Sequence, residues 1–202
     1  MPFDPNADTS VQLRAAIDGD HDSLGWLVAH LSPLLLAQAR WRLAGGMAST
    51  TDAEDLVQEA WLVALPRLRE LVPREGRLTP VLLRFLATTI VHRVNNLARD
   101  TLRRGPSGAG DGVVEGTLDE RTGVVTAAVR GEQRRQLLAT IEGLEPIDRE
   151  VLLLRGVEQR SQATTAALLG ISGDAVAMRF SRALDRLRAQ LPASLLADLG
   201  GS

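Results

Sequence analysis

Cysteine is absent from the 202 residues of this chain. A disulfide framework is therefore excluded, and so is a metal site built from thiolates. This composition fits a reducing compartment, and we expect the protein to be cytoplasmic. The three histidines, His21, His30 and His92, are widely spaced and show no metal-ligand pattern. We therefore expect neither a metal site nor a bound cofactor.

Long apolar runs are absent as well. Apolar runs such as residues 34–37 are far too short to span a bilayer. Residues 1–5 contain no basic region followed by an apolar run, so no signal peptide is expected. The chain also lacks a Ser-His-Asp arrangement, a P-loop and a glycine-rich phosphate cradle between a strand and a helix. We expect a protein that is not inserted in a membrane and is not an enzyme.

Aromatic residues are scarce, at 3%, and tyrosine is missing. Leu and Ala dominate the 45% of residues that are hydrophobic, and β-branched runs are few, which favours helix over sheet. Apolar residues recur at helical spacing and predict an all-α fold. The predicted helices cover about residues 9–18, 20–43, 52–71, 79–103, 126–142, 146–156, 161–169 and 173–191, with a short helix over 194–199.

Prolines and glycines divide this helical pattern. Pro33 should kink the second helix or split it in two, and Pro66 should bend or interrupt the third. The segment that begins at residue 105 is rich in turn residues and has no helical periodicity, which indicates a flexible linker. We therefore expect two small helical domains joined by that linker and followed by a tail that is either regulatory or frayed. Their bounds are 9–104 for the first domain, 105–125 for the linker, 126–191 for the second domain and 192–202 for the tail.

The sharpest local pattern lies at residues 161–172, where a short helix and a glycine turn precede a longer helix. Gly170 can adopt the left-handed conformation that such a turn requires, and Ser172 can cap the helix that follows. These features are typical of a helix-turn-helix. In the second helix, Val176 and Phe180 belong to an apolar stripe that should face the core.

Arginines line a neighbouring face of that second helix. Arg179, Arg182 and Arg186 recur at i, i+3 and i+7, so the helix can enter the DNA major groove and present guanidinium groups to bases and phosphates. An ordinary amphipathic helix with solvated arginines is the alternative interpretation. The turn chemistry before the helix favours DNA binding.

Residues 136–190 resemble region four of bacterial sigma factors, the domain that reads the −35 promoter element. By itself, this part of the chain could also match the output domains of response regulators. The sigma family often has a basic residue where this chain has Ala177. The resemblance implies −35 contacts from Arg160, Ser161, Ala177, Met178, Arg179, Ser181 and Arg182.

An acidic edge marks the helix that begins near residue 52. Asp55 and Glu59 are one turn apart, and like charges at this spacing destabilise an isolated helix by about 0.2–0.5 kcal/mol. On spacing alone, a solvated acidic face would explain them. Residues 52–65, however, resemble the helix of sigma region two that docks on a coiled coil of the largest β-type polymerase subunit. The resemblance implies polymerase binding by Asp52, Glu54, Asp55, Gln58 and Glu59.

Residues 74–104 are rich in basic residues. They contain seven arginines and His92 but only two acidic residues, although the net charge of the whole chain is −2. Arginines in this segment can neutralise phosphates, and asparagines can hydrogen-bond exposed base edges. The segment is similar to the −10-reading helix of sigma region two, although the usual tryptophan is missing and Phe85 is the nearest aromatic residue. The −10 contacts that this resemblance implies come from Arg93, Asn95, Asn96, Arg99, Arg103 and Arg104.

The two resemblances occur in the sigma-factor order, on either side of a linker and without a third domain between them. This arrangement is similar to sigma factors of the extracytoplasmic-function (ECF) type, which direct core RNA polymerase to promoters and initiate transcription. The implied partners are core polymerase, promoter DNA and, as a further family expectation, an anti-sigma factor. Two alternatives stay open: a helix-turn-helix regulator that binds DNA without polymerase, and a degenerate sigma-like interaction protein.

Overall fold

The computed structural model describes residues 8–44, 52–104 and 132–200. Within these ranges the regular structure is helical, apart from one isolated β-bridge between Arg74 and Arg77. The predicted all-α fold class is therefore confirmed. The predicted linker and the first residues of the helix predicted from 126 lie outside the described residues. None of the described helices is long and apolar enough to cross a membrane.

The N-terminal half, residues 8–104, contains four α-helices and a 3-10 helix among its described residues. Asp20 caps the start of the second α-helix, because its carboxylate accepts a hydrogen bond from the backbone N–H of Ser23 at 2.9 Å. Of the two outcomes expected at Pro33, a kink or a split, the split does not occur, because the helix continues through the proline. The helices are α1 Thr9–Ile17, α2 His21–Leu43, α3 Ala53–Ala64, the 3-10 helix Leu65–Glu70 and α4 Thr79–Arg104.

The predicted interruption of the third helix at Pro66 is present. The α-helical part ends at Ala64, and the chain then tightens into the 3-10 helix, which ends at Glu70, close to the predicted end near residue 71. Pro66 explains the change, since proline has no N–H to donate and its ring crowds the carbonyl of the preceding turn.

The C-terminal half, residues 132–200, contains the predicted helix-turn-helix. Gly170 ends the first helix of the motif with a φ of 66°, in the left-handed region. Ser161 and Ser172 cap the two helices by accepting hydrogen bonds from the N–H groups of Thr164 and Ala175. The helices are α5 Glu132–Glu142, α6 Pro146–Val151 with a π-helical continuation Leu152–Val157, α7 Gln162–Leu169, α8 Gly173–Leu187 and α9 Ala193–Leu199.

Helix α2 forms the centre of the packing. Residues 31–39 are all buried, and α2 contacts α1, α3, α4, α5 and the π-helical turn. A helix that is buried on every side needs partners for its polar groups. The hydroxyl of Ser32 accepts a hydrogen bond from Nε1 of Trp61 at 3.1 Å. Trp61 is fully buried, which confirms it as a core residue, while Trp41 is only partly buried against the same core.

The two halves share one connected set of buried apolar residues. Helix α5 packs along α2, and α9 contacts α1 and α4. Leu195 and Leu199 of α9 are buried, so the last helix is part of the packed structure. The DNA-binding and polymerase-binding candidates are therefore held on a single compact framework in this structure.

We predict that Trp61→Ala destabilises the protein by about 3–5 kcal/mol, because it removes a fully buried indole and leaves the hydroxyl of Ser32 without its donor. Urea denaturation followed by circular dichroism measures the change. Leu62→Ala is the matched control, since the neighbouring Leu62 side chain is exposed and its truncation should change stability by less than about 0.5 kcal/mol. Equal effects of the two variants would contradict the assignment of Trp61 to the core.

Candidate functional site

The acidic edge of α3 comprises Asp52, Glu54, Asp55, Gln58 and Glu59. The first three residues are exposed, and the last two are half-buried. Asp52 begins the helix by accepting a hydrogen bond from the N–H of Glu54 at 3.1 Å. The opposite face, which includes Val57 and Trp61, is buried in the core. Because that apolar face anchors the helix, the acidic edge is directed away from the core.

Two arginines from other helices contact the acidic edge. Arg93 of α4 forms an ion pair with Glu59, and Arg134 of α5 lies 3.8 Å from Glu54. The Arg134 side chain is only 8% exposed, and this burial lowers its pKa from the usual value while the charge of Glu54 opposes the shift. Asp55 makes no ion pair with any described residue, so its carboxylate is available to a partner.

The predicted −10 residues with described side chains form an exposed surface along the second half of α4. Arg99 folds back on this surface, donating from Nε to the carbonyl of Asn95 at 3.3 Å and from an Nη atom to Oδ1 of Asn96 at 2.9 Å. Arg103 is exposed and has no ion pair within the described ranges. The side chain of Arg104 lies outside the described structure. Among the described side chains, one ion pair joins a predicted −10 residue to a predicted polymerase-binding residue. It is formed by Arg93 and Glu59.

The predicted −35 residues fall in two groups. Ala177, Met178, Ser181 and Arg182 are exposed on α8, with Arg179 half-buried beside them. Arg160 and Ser161 lie at the start of α7 and are also exposed. The helix-turn-helix therefore presents all seven residues on its accessible surface or at its edge.

A buried carboxylate that the sequence did not single out as a site residue supports the arginines of α8. Asp148 of α6 has a side chain that is 4% exposed. It accepts a hydrogen bond from Arg179 at 2.8 Å and lies 3.5 Å from Arg182. Such contacts restrict the two guanidinium groups and balance part of their charge. The sequence offered no signal for this pairing, because Asp148 lies about 30 residues before its partners.

A second buried carboxylate, that of Glu158, lies behind Arg160. Its side chain is 4% exposed and accepts a hydrogen bond from Nε of Arg160 at 3.2 Å. Gln38 and Arg42 of α2 contact the same carboxylate. Sequence analysis missed this residue because its α2 partners are more than a hundred positions away.

A cleft of about 520 Å³ lies between the middle of α4 and the start of α7. Arg84, Thr88 and His92 of α4 line one side, and Arg160 and Ser161 line the other. The middle of α4 therefore faces the start of the helix-turn-helix across a single opening.

Comparison with known proteins identifies related sequences. A family model described as sigma-70, region 4, matches residues 134–187. The ECF RNA polymerase sigma factor ShbA of Streptomyces griseus is 30% identical over 182 residues, which cover 88% of this chain and 92% of that protein. The ECF RNA polymerase sigma factor SigD of Mycobacterium tuberculosis is 29% identical over 186 residues, which cover 89% and 82%.

This chain belongs to the ECF family of RNA polymerase sigma factors. The solved structure of CnrH in complex with the cytosolic domain of CnrY aligns with 90% of the present sigma factor and 96% of CnrH, at 24% identity and a TM-score of 0.40. The helix-turn-helix of this sigma factor lies within its region four, and α5 lies almost entirely within the matched residues. The acidic edge and α4 belong to the half that precedes this match.

For this sigma factor we predict that Asp148→Ala lowers the free energy of unfolding by about 1.5–3 kcal/mol, because a buried carboxylate loses its hydrogen bond to a charged group. Denaturant titration measures the loss. Asp185→Ala is the matched control, because the Asp185–Arg188 pair is exposed and should contribute at most about 1 kcal/mol. A loss in the control as large as in Asp148→Ala would show that burial of Asp148 is unimportant.

Proposed function

We propose that this ECF sigma factor binds core RNA polymerase through the acidic edge of α3, with the largest β-type subunit as the contacted partner. The observation that supports this role most directly is the orientation of α3. Its apolar face is buried against α2 and α4, while Asp55 and its neighbours are exposed in a row along the helix. A row of exposed carboxylates can steer and orient a basic helical partner.

Helix α4 is the proposed −10 reader. Exposed Arg99 and Arg103 supply positive charge for phosphates, and exposed Asn95 and Asn96 carry amide groups that can pair with base edges. Asn96 is hydrogen-bonded to Arg99 in the free protein. This hydrogen bond holds the Asn96 amide in place. When a base binds, Oδ1 of Asn96 must either give up its bond to Arg99 or accept from both Arg99 and the base.

Helix α8 and the start of α7 are the proposed −35 reader. Arg182 is exposed on α8, and Arg179 is half-buried beside Asp148. The N–H groups at the start of α7 and the adjacent Arg160 are suited to a phosphate. Ala177 and Met178 place small and apolar surface next to these arginines, which suits contact with a thymine methyl group.

The two readers belong to domains that we expect to act as separate units on DNA, residues 9–104 and 126–191. A linker between them lets two weak contacts with the promoter reinforce each other by raising effective concentration. Transcription takes place in the cytoplasm of bacteria, and we propose the same location for this protein. The family also leads us to expect an anti-sigma factor as a regulator, and no catalytic role.

We predict that Asp55→Arg weakens binding to core RNA polymerase by about 2 kcal/mol or more, roughly thirty-fold in Kd, because an arginine replaces the unpaired carboxylate of the acidic edge. Fluorescence anisotropy with purified core polymerase measures the affinity. In-vitro transcription from a promoter library should fall in parallel.

Asp22→Arg is the matched control for this prediction. Asp22 is also an exposed acid in the first turn of a helix, so its replacement removes the same favourable interaction with the helix dipole. We expect this variant to retain polymerase binding. If Asp55→Arg binds polymerase as tightly as the unchanged chain, the acidic edge is not the docking surface, and a regulator that binds DNA without polymerase becomes the better explanation.

We predict that promoter binding by the holoenzyme weakens steeply with salt and that Arg103→Ala reduces the slope of log K against log [salt] by about one. The exposed Arg103 should neutralise one phosphate whatever the promoter sequence. Filter binding or anisotropy at several salt concentrations measures the slope. Arg14→Ala, at an exposed position of α1, is the control and should leave the slope unchanged. Equal slopes for all three proteins would remove Arg103 from the DNA contact.

A further inference from the structure

Two adjoining cavities lie between α4 and the turn that precedes α7. The larger one is the cleft of about 520 Å³, and the smaller one has a volume of about 200 Å³. Arg74, Arg84 and Gln159 line both cavities, so the two spaces meet at these side chains. Sites for small molecules usually have volumes of roughly 300–1,000 Å³. The pair of cavities is therefore large enough for a ligand of the size of a nucleotide.

The larger cavity has a basic lining. Arg74 and Arg84 are exposed and make no ion pair with any described residue. Arg160 and His92 complete this lining on the two sides of the opening. A concave surface that carries charge of one sign concentrates its electric field and attracts counter-ions more strongly than a flat surface does. The arrangement therefore favours a ligand that carries more than one negative charge.

Two carboxylates also line the cavities, but they do not cancel this charge. Glu158, in the larger cavity, already forms ion pairs with Arg42 and Arg160. Glu75 lines the smaller cavity and is not part of the lining of the larger one. A phosphate chain in the larger cavity would therefore meet the unpaired guanidinium groups of Arg74 and Arg84 without a free carboxylate beside them.

The smaller cavity has a different chemistry. Pro80 and Val81, at the start of α4, give it an apolar wall, and Arg74 and Arg84 lie where it joins the larger cavity. Guanidinium groups stack on aromatic rings as well as binding phosphate. A flat heteroaromatic ring therefore fits the smaller cavity, and phosphate groups attached to the same molecule fit the larger one.

The backbone beside the smaller cavity has an uncommon conformation at two positions. Glu75 and Gln159 have φ values of 52° and 53°, and among the described residues they are the two non-glycine residues with positive φ. Both line the smaller cavity. Such residues cluster at ligand-binding sites, where the surrounding structure holds them in place. Nε2 of Gln159 donates to the carbonyl of Gly156 at 2.6 Å, which leaves Oε1 of Gln159 and the Glu75 carboxylate as acceptors for the edge of a base.

We propose that the two cavities form a binding site for a nucleoside polyphosphate. The base occupies the smaller cavity beside Val81, and the phosphate chain binds Arg74, Arg84 and Arg160 in the larger one. Arg74 and Arg84 have no part in the proposed promoter contacts, so the site is separate from the two DNA readers. Arg160 is shared, and competition between the ligand and a −35 phosphate for this residue is the one consequence that rests on the proposed function.

Titration of the free full-length chain with ATP or GTP in the presence of Mg²⁺, followed by isothermal titration calorimetry, tests the site. We expect saturable binding of at least one of the two nucleotides. Arg84→Ala should weaken it by about ten-fold or more, because the variant removes a charged hydrogen-bond donor that lines both cavities.

Arg14→Ala is the matched control for this titration. It removes the same charge from an exposed position of α1 that lines neither cavity, so we expect it to leave the nucleotide affinity unchanged. The proposal is overturned if neither nucleotide shows saturable binding below about 1 mM. It is overturned equally if Arg84→Ala binds as tightly as Arg14→Ala.

Inorganic tripolyphosphate and a single-stranded thymidine oligonucleotide distinguish the class of ligand. Tripolyphosphate can use only the charged cavity, so we expect it to bind about ten-fold more weakly than the better nucleotide. Val81→Trp fills the smaller cavity and should lower the nucleotide affinity to that of tripolyphosphate, with the affinity for tripolyphosphate itself unchanged. Circular dichroism verifies the fold of this variant, and if it does not fold, the comparison of ligands on the unchanged chain decides.

Two results of these titrations would reject a nucleotide site. Tripolyphosphate that binds as tightly as the nucleotides would show a site for a bare anion, and Arg84-dependent binding of the oligonucleotide alone would assign the cavities to DNA. Neither polymerase nor a promoter is needed for these measurements. A negative result therefore leaves the proposed function intact, and a failure of polymerase docking at the acidic edge leaves the nucleotide site intact.

Discussion

The burial of α2 is the constraint on which the rest of this structure depends. Nine consecutive residues, 31–39, are removed from solvent, so hydrogen-bond partners for their polar groups must come from inside the protein. Oε1 of Gln38 has no such partner among the described residues. Ser32 is bonded to Trp61 of α3, and Gln38 is bonded to the carbonyl of Ala87 in α4 and to Glu158. These few contacts set the positions of the acidic edge, the candidate −10 helix and region four relative to one helix.

Arginine serves two physical purposes in this ECF sigma factor. Arg42 and Arg179 have buried carboxylates as partners and hold helices together, whereas Arg103 is exposed and has no ion pair among the described residues. Arg134 lies between these extremes, because it is buried but only loosely paired. A guanidinium group suits both purposes, since it keeps its charge when partly buried and binds carboxylate and phosphate in the same geometry. Net charge therefore says little about where this protein binds DNA.

Features encoded within a few residues were predicted well. The left-handed turn at Gly170 and the cap at Ser172 depend on local backbone geometry and hydrogen bonds, and the structure contains both. The interruption at Pro66 was predicted as well, and the helical chain continues beyond it in 3-10 geometry, because the apolar pattern extends past the proline while α-helical backbone geometry does not. The short helix predicted over 194–199 is present as α9, but its packing between the halves was not predicted, because its own short sequence does not encode that placement.

The sequence by itself determined the all-α class, the helix-turn-helix and the position of an acidic edge, because periodicity, caps and turns act over one or two helical turns. Only the tertiary structure decided which charges meet. The carboxylates of Asp148 and Glu158 receive arginines from about thirty and more than a hundred residues away, and Arg134 reaches Glu54 from the other half of the chain. Such pairs form because burial makes an unpaired charge costly, and burial depends on the packing of all the helices together.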